Sequence, residues 1–221
     1  SGRLVPTASI VTLINFSLQL NMFAIFTALS TVKSPPTFNN TTPNIIAILN
    51  ESWVNLSVLG EVETNISYMS SLESMEENAT KGYLSVSILG GLTANTEFEF
   101  LTGNSMTFLP KNAVPYQLQV NHDIYSLASV LGEQGYQTMA IYPGIKTMWN
   151  RDEAYSYMGF DEFLDINGFE TEYDKVRDYV SDDANYNEII WQFEHKKENQ
   201  PLFLFDVTIQ NHGGYGGGVD A

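Results

Sequence analysis

At 221 residues, with 43% apolar and 13% aromatic content, the chain is long enough to bury one large core. Its 10 basic and 26 acidic residues give a formal net charge of −16, which excludes a basic face for nucleic acid and favours divalent cations instead. The absence of cysteine excludes a disulfide framework, a thiolate metal site and a cysteine nucleophile.

Residues 1–42 stand apart as an apolar segment and a linker. The run "TASIVTLINFSLQLNMFAIFTALSTV" (7–32) carries no charge, yet Asn15, Ser17, Gln19 and Asn21 interrupt it as a membrane span. Its start lacks the basic region and small-residue cleavage site of a signal peptide. Three readings stay open for it: a helix packed on the domain, an interfacial helix, and the trailing end of a membrane region. "SPPTFNNTTPN" (34–44) then breaks any helix and reads as the linker.

From residue 43 strands and helices alternate. "NIIAIL" (44–49) is a short continuous apolar run of the kind that forms a buried parallel strand, and it ends at the polar "NESW". "YLSVSIL" (83–89) is the second expected strand, and Thr93 follows at a helix start behind the "GGLT" turn. "DIYSLASVLGEQGY" (123–136) has helical spacing and stops at Gly135, before the third strand "QTMAIYP". "NRDEAYSYMGF" opens on Asn150 with Glu153 three residues later, a helix N-terminus signature. "DDANYNEIIWQFEHKKE" (182–198) is an amphipathic helix with basic residues near its end, and "PLFLFDVTI" (201–209) is the fourth strand. The fold class is therefore α/β, a mainly parallel sheet with helices on its faces.

Ligands of open α/β sheets bind beyond the carboxyl ends of the strands. Those ends deliver Glu51 beside Asn50, Thr93, the "YPGIKTMWNR" segment with Trp149 and Arg151, and "TIQNHGGYGGG" with His212. A carboxylate, a hydroxyl, a guanidinium and an imidazole thus share one rim. Singly, each has a plainer reading: Glu51 caps a helix, Thr93 is an N-cap, Trp149 and Arg151 stack on the surface, and His212 is a loop histidine among turn-forming glycines. Jointly they describe an α/β domain with a rim for an anionic ligand. His122 and His195 read as exposed surface residues.

The segments "PNIIAILNESW", "GGLTANTEFEFLTG", "FLPKNAVPYQ", "SLASVLGEQGYQTMAIYP", "MWNRDEAYSYMGFDEFL" and "PLFLFDVTIQNHGGY" occur in that order over about residues 43–217. In order and spacing they resemble the extracellular domains of the lipoteichoic acid synthase family, the sulfatase-like phosphoglycerol transferases. The resemblance implies an alkaline phosphatase/sulfatase-like α/β/α sandwich, of which 43–221 is the N-terminal part. It also implies a divalent cation, Mn2+ or else Mg2+, bound by Glu51 and by Thr93, the nucleophile. Trp149, Arg151 and His212 match the family's substrate contacts. The implied reaction moves a phosphoglycerol group from a phosphatidylglycerol-type lipid to a glycerophosphate or glycan acceptor through a covalent phospho-threonine. Its implied setting is cell-envelope polymer synthesis on the outer face of a bacterial cytoplasmic membrane, with the membrane surface a partner and nucleic acid none. The chemistry is coherent, because a threonine hydroxyl is a weak nucleophile that a dication activates, and Glu51 offers the hard oxygen such ions prefer. Arg151 suits a phosphate held by parallel hydrogen bonds.

Two departures qualify the resemblance. Family members complete the metal site with an Asp-His pair well past the position of His212, so the chain is expected to be a fragment with an incomplete ligand set. "IYPGIKT" carries Pro143 and Ile145 where some members have a histidine and an aspartate. Two alternatives therefore accompany the transferase: a catalytically inactive glycerophosphate-binding module, and a phosphoethanolamine transferase or sulfatase-type hydrolase of the same superfamily. Sulfatases need a cysteine or serine with nearby proline and arginine, and "LTANTEF" has none of these.

Overall fold

The computed structural model describes residues 9–15, 22–28, 42–53, 55, 60–61, 63–66, 69–76, 79–84, 88 and 91–213. In chain order its strands are β1 (Ser9–Asn15), β2 (Met22–Ala28), β3 (Asn44–Asn50), β4 (Thr80–Leu84), β5 (Gln137–Tyr142), β6 (Glu162–Asp165), β7 (Lys175–Val176), β8 (Tyr179–Val180) and β9 (Leu202–Val207). The α-helices are α1 (Ser70–Glu73), α2 (Thr93–Thr102), α3 (Pro115–Leu118), α4 (Leu127–Glu133), α5 (Arg151–Tyr157) and α6 (Asp182–His195). One sheet runs β4-β2-β1-β3-β9-β5-β6, and β7 and β8 form a separate hairpin. Within the sheet β1, β3, β9, β5 and β6 are parallel, while β2 is antiparallel to both of its neighbours, β1 and β4. The mainly parallel α/β class read from the alternation is what the chain adopts.

The central strands read as unbroken apolar runs because both of their faces are covered. Every residue of β5 and β9 is buried. Side chains alternate across the sheet, so Ala47, Leu49, Phe203, Phe205 and Val207 meet Ala94, Phe98 and Leu101 of α2 and Tyr155 of α5 in one core. Ile46, Ile48, Met139, Ile141, Leu202 and Leu204 form the other core with Ile189 of α6. The register Ile45↔Phe203 and Leu49↔Val207 sets β3 level with β9, which brings their carboxyl ends out together.

Helix starts are fixed locally. Ser126 accepts from the N–H groups of Ala128 and Ser129 while Ser129 reaches back to the N–H of Ser126, a complete capping box ahead of α4. The Ser126 hydroxyl also donates to the carbonyl of Met158 at 2.5 Å, tying α4 to the end of α5. Ser181 caps α6 by accepting from the N–H of Ala184. At α5, Asn150 holds the N-cap position at φ 65° but gives no side-chain cap; its amide instead donates to the Tyr116 carbonyl and to Glu153.

Three sequence expectations change. Residues 7–32 were expected to be helical, but the described parts of that run are strands β1 and β2 of the main sheet. "SIVTLIN" is rich in β-branched residues, whose stiff side chains favour strands. The strand expected at 83–89 is instead Thr80–Leu84, antiparallel on the sheet edge; residues 85–87 and 89 lie outside the described set. Strand β6 and the β7-β8 hairpin were not anticipated. No helix among the described residues is long and apolar enough to cross a membrane.

Candidate active site

Glu51 follows β3 directly and is fixed by its own backbone. Its N–H donates to the hydroxyl of Thr208 at 3.1 Å, and the N–H of Thr208 donates to the carbonyl of Leu49 at 3.0 Å. The fully buried Thr208 thus clamps the ends of β3 and β9 together.

Thr93 is the first residue of α2 rather than its N-cap. Gly91 and Leu92 precede it in left-handed conformation, with φ 74° and 56°, and Leu92 takes the N-cap position without a side-chain cap. Glycine adopts that conformation freely and leucine does so at a cost of about 1–2 kcal/mol. The turn frees the Thr93 hydroxyl, which donates to Oε1 of Glu51 at 3.2 Å.

His212 approaches from the loop after β9. Its Nε2 lies 3.8 Å from Oε1 of Glu51, with the imidazole 48% exposed and the carboxylate 12%. The β7-β8 hairpin holds this loop: Arg177 donates to the carbonyls of Gln210 and His212, and the Tyr179 hydroxyl lies 3.2 Å from Nδ1 of His212.

Arg151 is not at the open rim. It is buried and donates from Nε and Nη2 to the carboxylate of Glu97, which also accepts from the Tyr155 hydroxyl at 2.7 Å. Its guanidinium carbon lies 4.1 Å from the centroid of the Tyr142 ring. Trp149 does not form the surface stack with Arg151: it is half-buried against the apolar core. Trp149 and Asn150 both have positive φ, 60° and 65°, the geometry that turns the chain from β5 into α5. The structure therefore brings Glu51, Thr93 and His212 together, and sets Arg151 against Glu97, one helical turn from Thr93.

Burial pushes the Glu51 carboxyl above the usual carboxylate range, and His212, the Thr93 hydroxyl and Arg151 pull it back. Burial likewise lifts the Tyr142 phenol to about 12, against the nearby charge of Arg151. Burial alone would lower Arg151, but Glu97 more than reverses that and keeps it cationic. A carboxylate this enclosed, facing an exposed imidazole, suits a bound cation. Oxygen ligands of an octahedral ion at about 2.0–2.1 Å sit about 3 Å apart, and the Glu51 to Thr93 separation of 3.2 Å matches that edge. Both atoms are hard oxygens of the kind magnesium and manganese take. Among the described residues there is no cluster of three or more His, Cys, Asp or Glu side chains able to hold a metal. His122 and His195 are exposed and elsewhere, the latter stacked on Trp191 at 3.9 Å.

Sequence reasoning passed over Glu97, Tyr155, Tyr179 and Thr208. Only Glu97 left a trace: a carboxylate four residues after Thr93, on the apolar side of a helix, wants a buried cation.

The sheet and the rim at its carboxyl end define a mainly parallel α/β domain with a polar site beyond its strands. The family model described as Sulfatase matches residues 43–217, and the chain belongs to that family. A Rhizobium meliloti protein named for cyclic β-1,2-glucan modification is 34% identical over 173 residues, covering 78% of this chain and 26% of its own length. The lipoteichoic acid synthase LtaP from Listeria monocytogenes is 25% identical with a TM-score of 0.52, over 59% of this chain and 31% of that one. The Streptococcus pyogenes phosphoglycerol transferase GacH, solved with sn-glycerol-1-phosphate, is 24% identical with a TM-score of 0.65, over 76% of this chain and 44% of that one, and shows the shared fold. The chain spans about a quarter of the Rhizobium relative and less than half of either solved chain. The family resemblance read from the motifs is borne out.

Proposed function

We propose that this chain carries the nucleophile and one metal ligand of a divalent-cation-dependent transferase that moves a phosphoglycerol-type group from a phospholipid to an acceptor hydroxyl. The observation that carries the reading is the 3.2 Å contact between Thr93 Oγ1 and Glu51 Oε1, made across 42 residues of sequence. Membership of the Sulfatase family and the likeness to a lipoteichoic acid synthase support it.

Glu51 and Thr93 would hold the ion, manganese or magnesium, whose charge lets a threonine hydroxyl ionise near neutral pH. Thr93 Oγ1 attacks phosphorus, a Thr93–phosphorus bond forms, and the bond from phosphorus to the lipid glycerol breaks. Diacylglycerol leaves and takes up the proton that Thr93 gave to solvent at the exposed mouth. An acceptor hydroxyl, from a glycerophosphate or glycan, then attacks the same phosphorus, the Thr93 Oγ1–phosphorus bond breaks, and the acceptor's proton passes by way of solvent to the departing Thr93 oxygen. In this reading His212 Nε2, at the exposed side of the carboxylate, would hydrogen-bond a phosphoryl oxygen, and Arg151, from its buried position against Glu97, and Trp149 would meet the phosphate and the glycerol. The setting that suits a lipid donor is the outer face of a bacterial membrane.

The test is to incubate the protein with manganese and fluorescent phosphatidylglycerol and to follow diacylglycerol release and a phosphoglycerol adduct on Thr93 by mass spectrometry. Both are expected, and both are lost in Thr93→Ala. Turnover that survives Thr93→Ala removes the nucleophile, and glycerophosphate binding without turnover makes the chain a binding module.

A further inference from the structure

Thr93 and Glu97 are four residues apart on α2, so their side chains leave the same face of the helix. Glu97 is completely buried and Arg151 is 1% exposed. The contact is a fork on one side: Nε reaches Oε1 at 3.2 Å and Oε2 at 3.0 Å, and Nη2 reaches Oε1 at 2.5 Å. The Tyr155 hydroxyl takes Oε2 from another direction, and Nη1 of Arg151 donates to the carbonyl of Met148 at 3.4 Å. The Tyr142 ring covers a face of the guanidinium. A guanidinium has one N–H on Nε and a pair on each terminal nitrogen. Glu97 and Met148 take Nε and one N–H each of Nη1 and Nη2, and Tyr142 is a further side-chain hydrogen-bond partner of the guanidinium at its outer end.

Burying two charges is a poor way to gain stability, since a well-packed apolar pair of equal volume often does as well or better. What the ion pair does provide is a guanidinium that cannot rotate. Glu97 stands one helical turn from Thr93 on the same face of α2, so the group it fixes lies near the hydroxyl that touches Glu51.

We propose that Glu97 is a positioning residue, which holds Arg151 by its Nε side so that the outer end of the guanidinium, Nη1 and Nη2, is offered to the phosphoryl group brought to Thr93. This rests on the transferase reading of the Thr93 and Glu51 site. It goes further by assigning a buried second carboxylate to phosphate recognition, through Arg151 and without contact with the substrate.

The experiment measures inorganic phosphate and sn-glycerol-1-phosphate binding by calorimetry in the presence of manganese, together with the manganese-induced rise in melting temperature, for the wild type, Glu97→Gln and Glu97→Asp. Glu97→Gln is expected to weaken both phosphates about tenfold or more, while the manganese response, which reads Glu51 and Thr93, is unchanged. Glu97→Asp keeps the charge but draws the guanidinium back by one methylene. It should fold, retain the manganese response and bind phosphate with intermediate affinity, and it decides the matter if Glu97→Gln fails to fold. Wild-type phosphate affinity in both variants overturns the inference and leaves the transferase reading standing. Parallel loss of manganese response, phosphate binding and melting temperature makes Glu97 merely structural and also overturns it. A wild type that binds manganese but neither phosphate overturns the transferase reading, and this inference with it.

Discussion

The Tyr179 hydroxyl lies 3.2 Å from Nδ1 of His212, while the other ring nitrogen, Nε2, is the atom 3.8 Å from Glu51. A residue of a two-stranded hairpin outside the main sheet thus orients the imidazole that faces the site. The Gly213 carbonyl lies 3.3 Å from the same Nδ1, so a phenol and a carbonyl share that nitrogen and leave Nε2 to the site. Tyr179→Phe removes one partly exposed hydrogen bond, about 0.5–1.5 kcal/mol. Turnover should fall about two- to tenfold, with a shift of the His212 Nδ1 resonance in the nitrogen-15 NMR spectrum. An unchanged resonance and rate would mean that the hairpin does not set the ring.

Metal binding has its own readout. A ligand present at about 100 times its dissociation constant stabilises the folded state by about 2.7 kcal/mol, which for a chain of this size is about 5–11 °C in melting temperature. Manganese should produce a rise of that order, EDTA should reverse it, and Glu51→Gln should lose most of it. Scanning fluorimetry checks this without reference to turnover.

Asp206 faces α6 from β9 and is completely buried. Its Oδ2 accepts from the Asn185 amide at 2.9 Å, and its Oδ1 has no partner. Burial holds its carboxyl well above the ordinary range; Asn185 opposes this and the charge of Asp182 adds to it. A raised folded pKa means that the folded state prefers the proton, so the stability is complete below the unfolded value of about 3.9 and is lost as pH rises through the folded one. Asp206→Asn abolishes this titration. Its melting temperature should match the wild type near pH 4 and exceed it by a widening margin toward pH 8. Glu51, also raised by burial, titrates in both proteins and cancels in the difference, whereas Asp182, which interacts with Asp206, loses that repulsion in the variant and adds to the gain.

Ser126→Ala separates the scaffold from the site. It removes the cap of α4 and the 2.5 Å bond to the Met158 carbonyl. The expected loss is about 1–2 kcal/mol, or about 2–8 °C, with the manganese response intact. A melting temperature within a degree of wild type would show that the capping box is dispensable.

Much of this was legible in the sequence wherever the structure is local. β3 announced itself as a continuous apolar run, β5 and β9 as mainly apolar strands, α4 by helical spacing and Gly135, and α6 by its amphipathic pattern. Glu51, Thr93 and His212 were placed on one rim by the rule that polar residues beyond parallel strands converge, and they do converge. The burial of Arg151 was not legible, because its environment is set by Glu97, 54 residues earlier, and no local pattern reports such a partner. β1 and β2 were misread because each is an apolar stretch too short to show a period that separates strand from helix, and the pairing of β1 with β3 that decides it is a tertiary fact.

The pairing of β3 with β9 also governs when the rim can exist. Ile45 lies beside Phe203, and the Glu51 N–H finds its acceptor 157 residues further along the chain. Such distant closure is slow, because its entropy is lost before any contact repays it. A nascent chain emerging from the ribosome therefore carries Glu51 and Thr93 well before the strand that brings His212 to them. The cluster of carboxylate, hydroxyl and imidazole should assemble late, as β9 inserts beside β3.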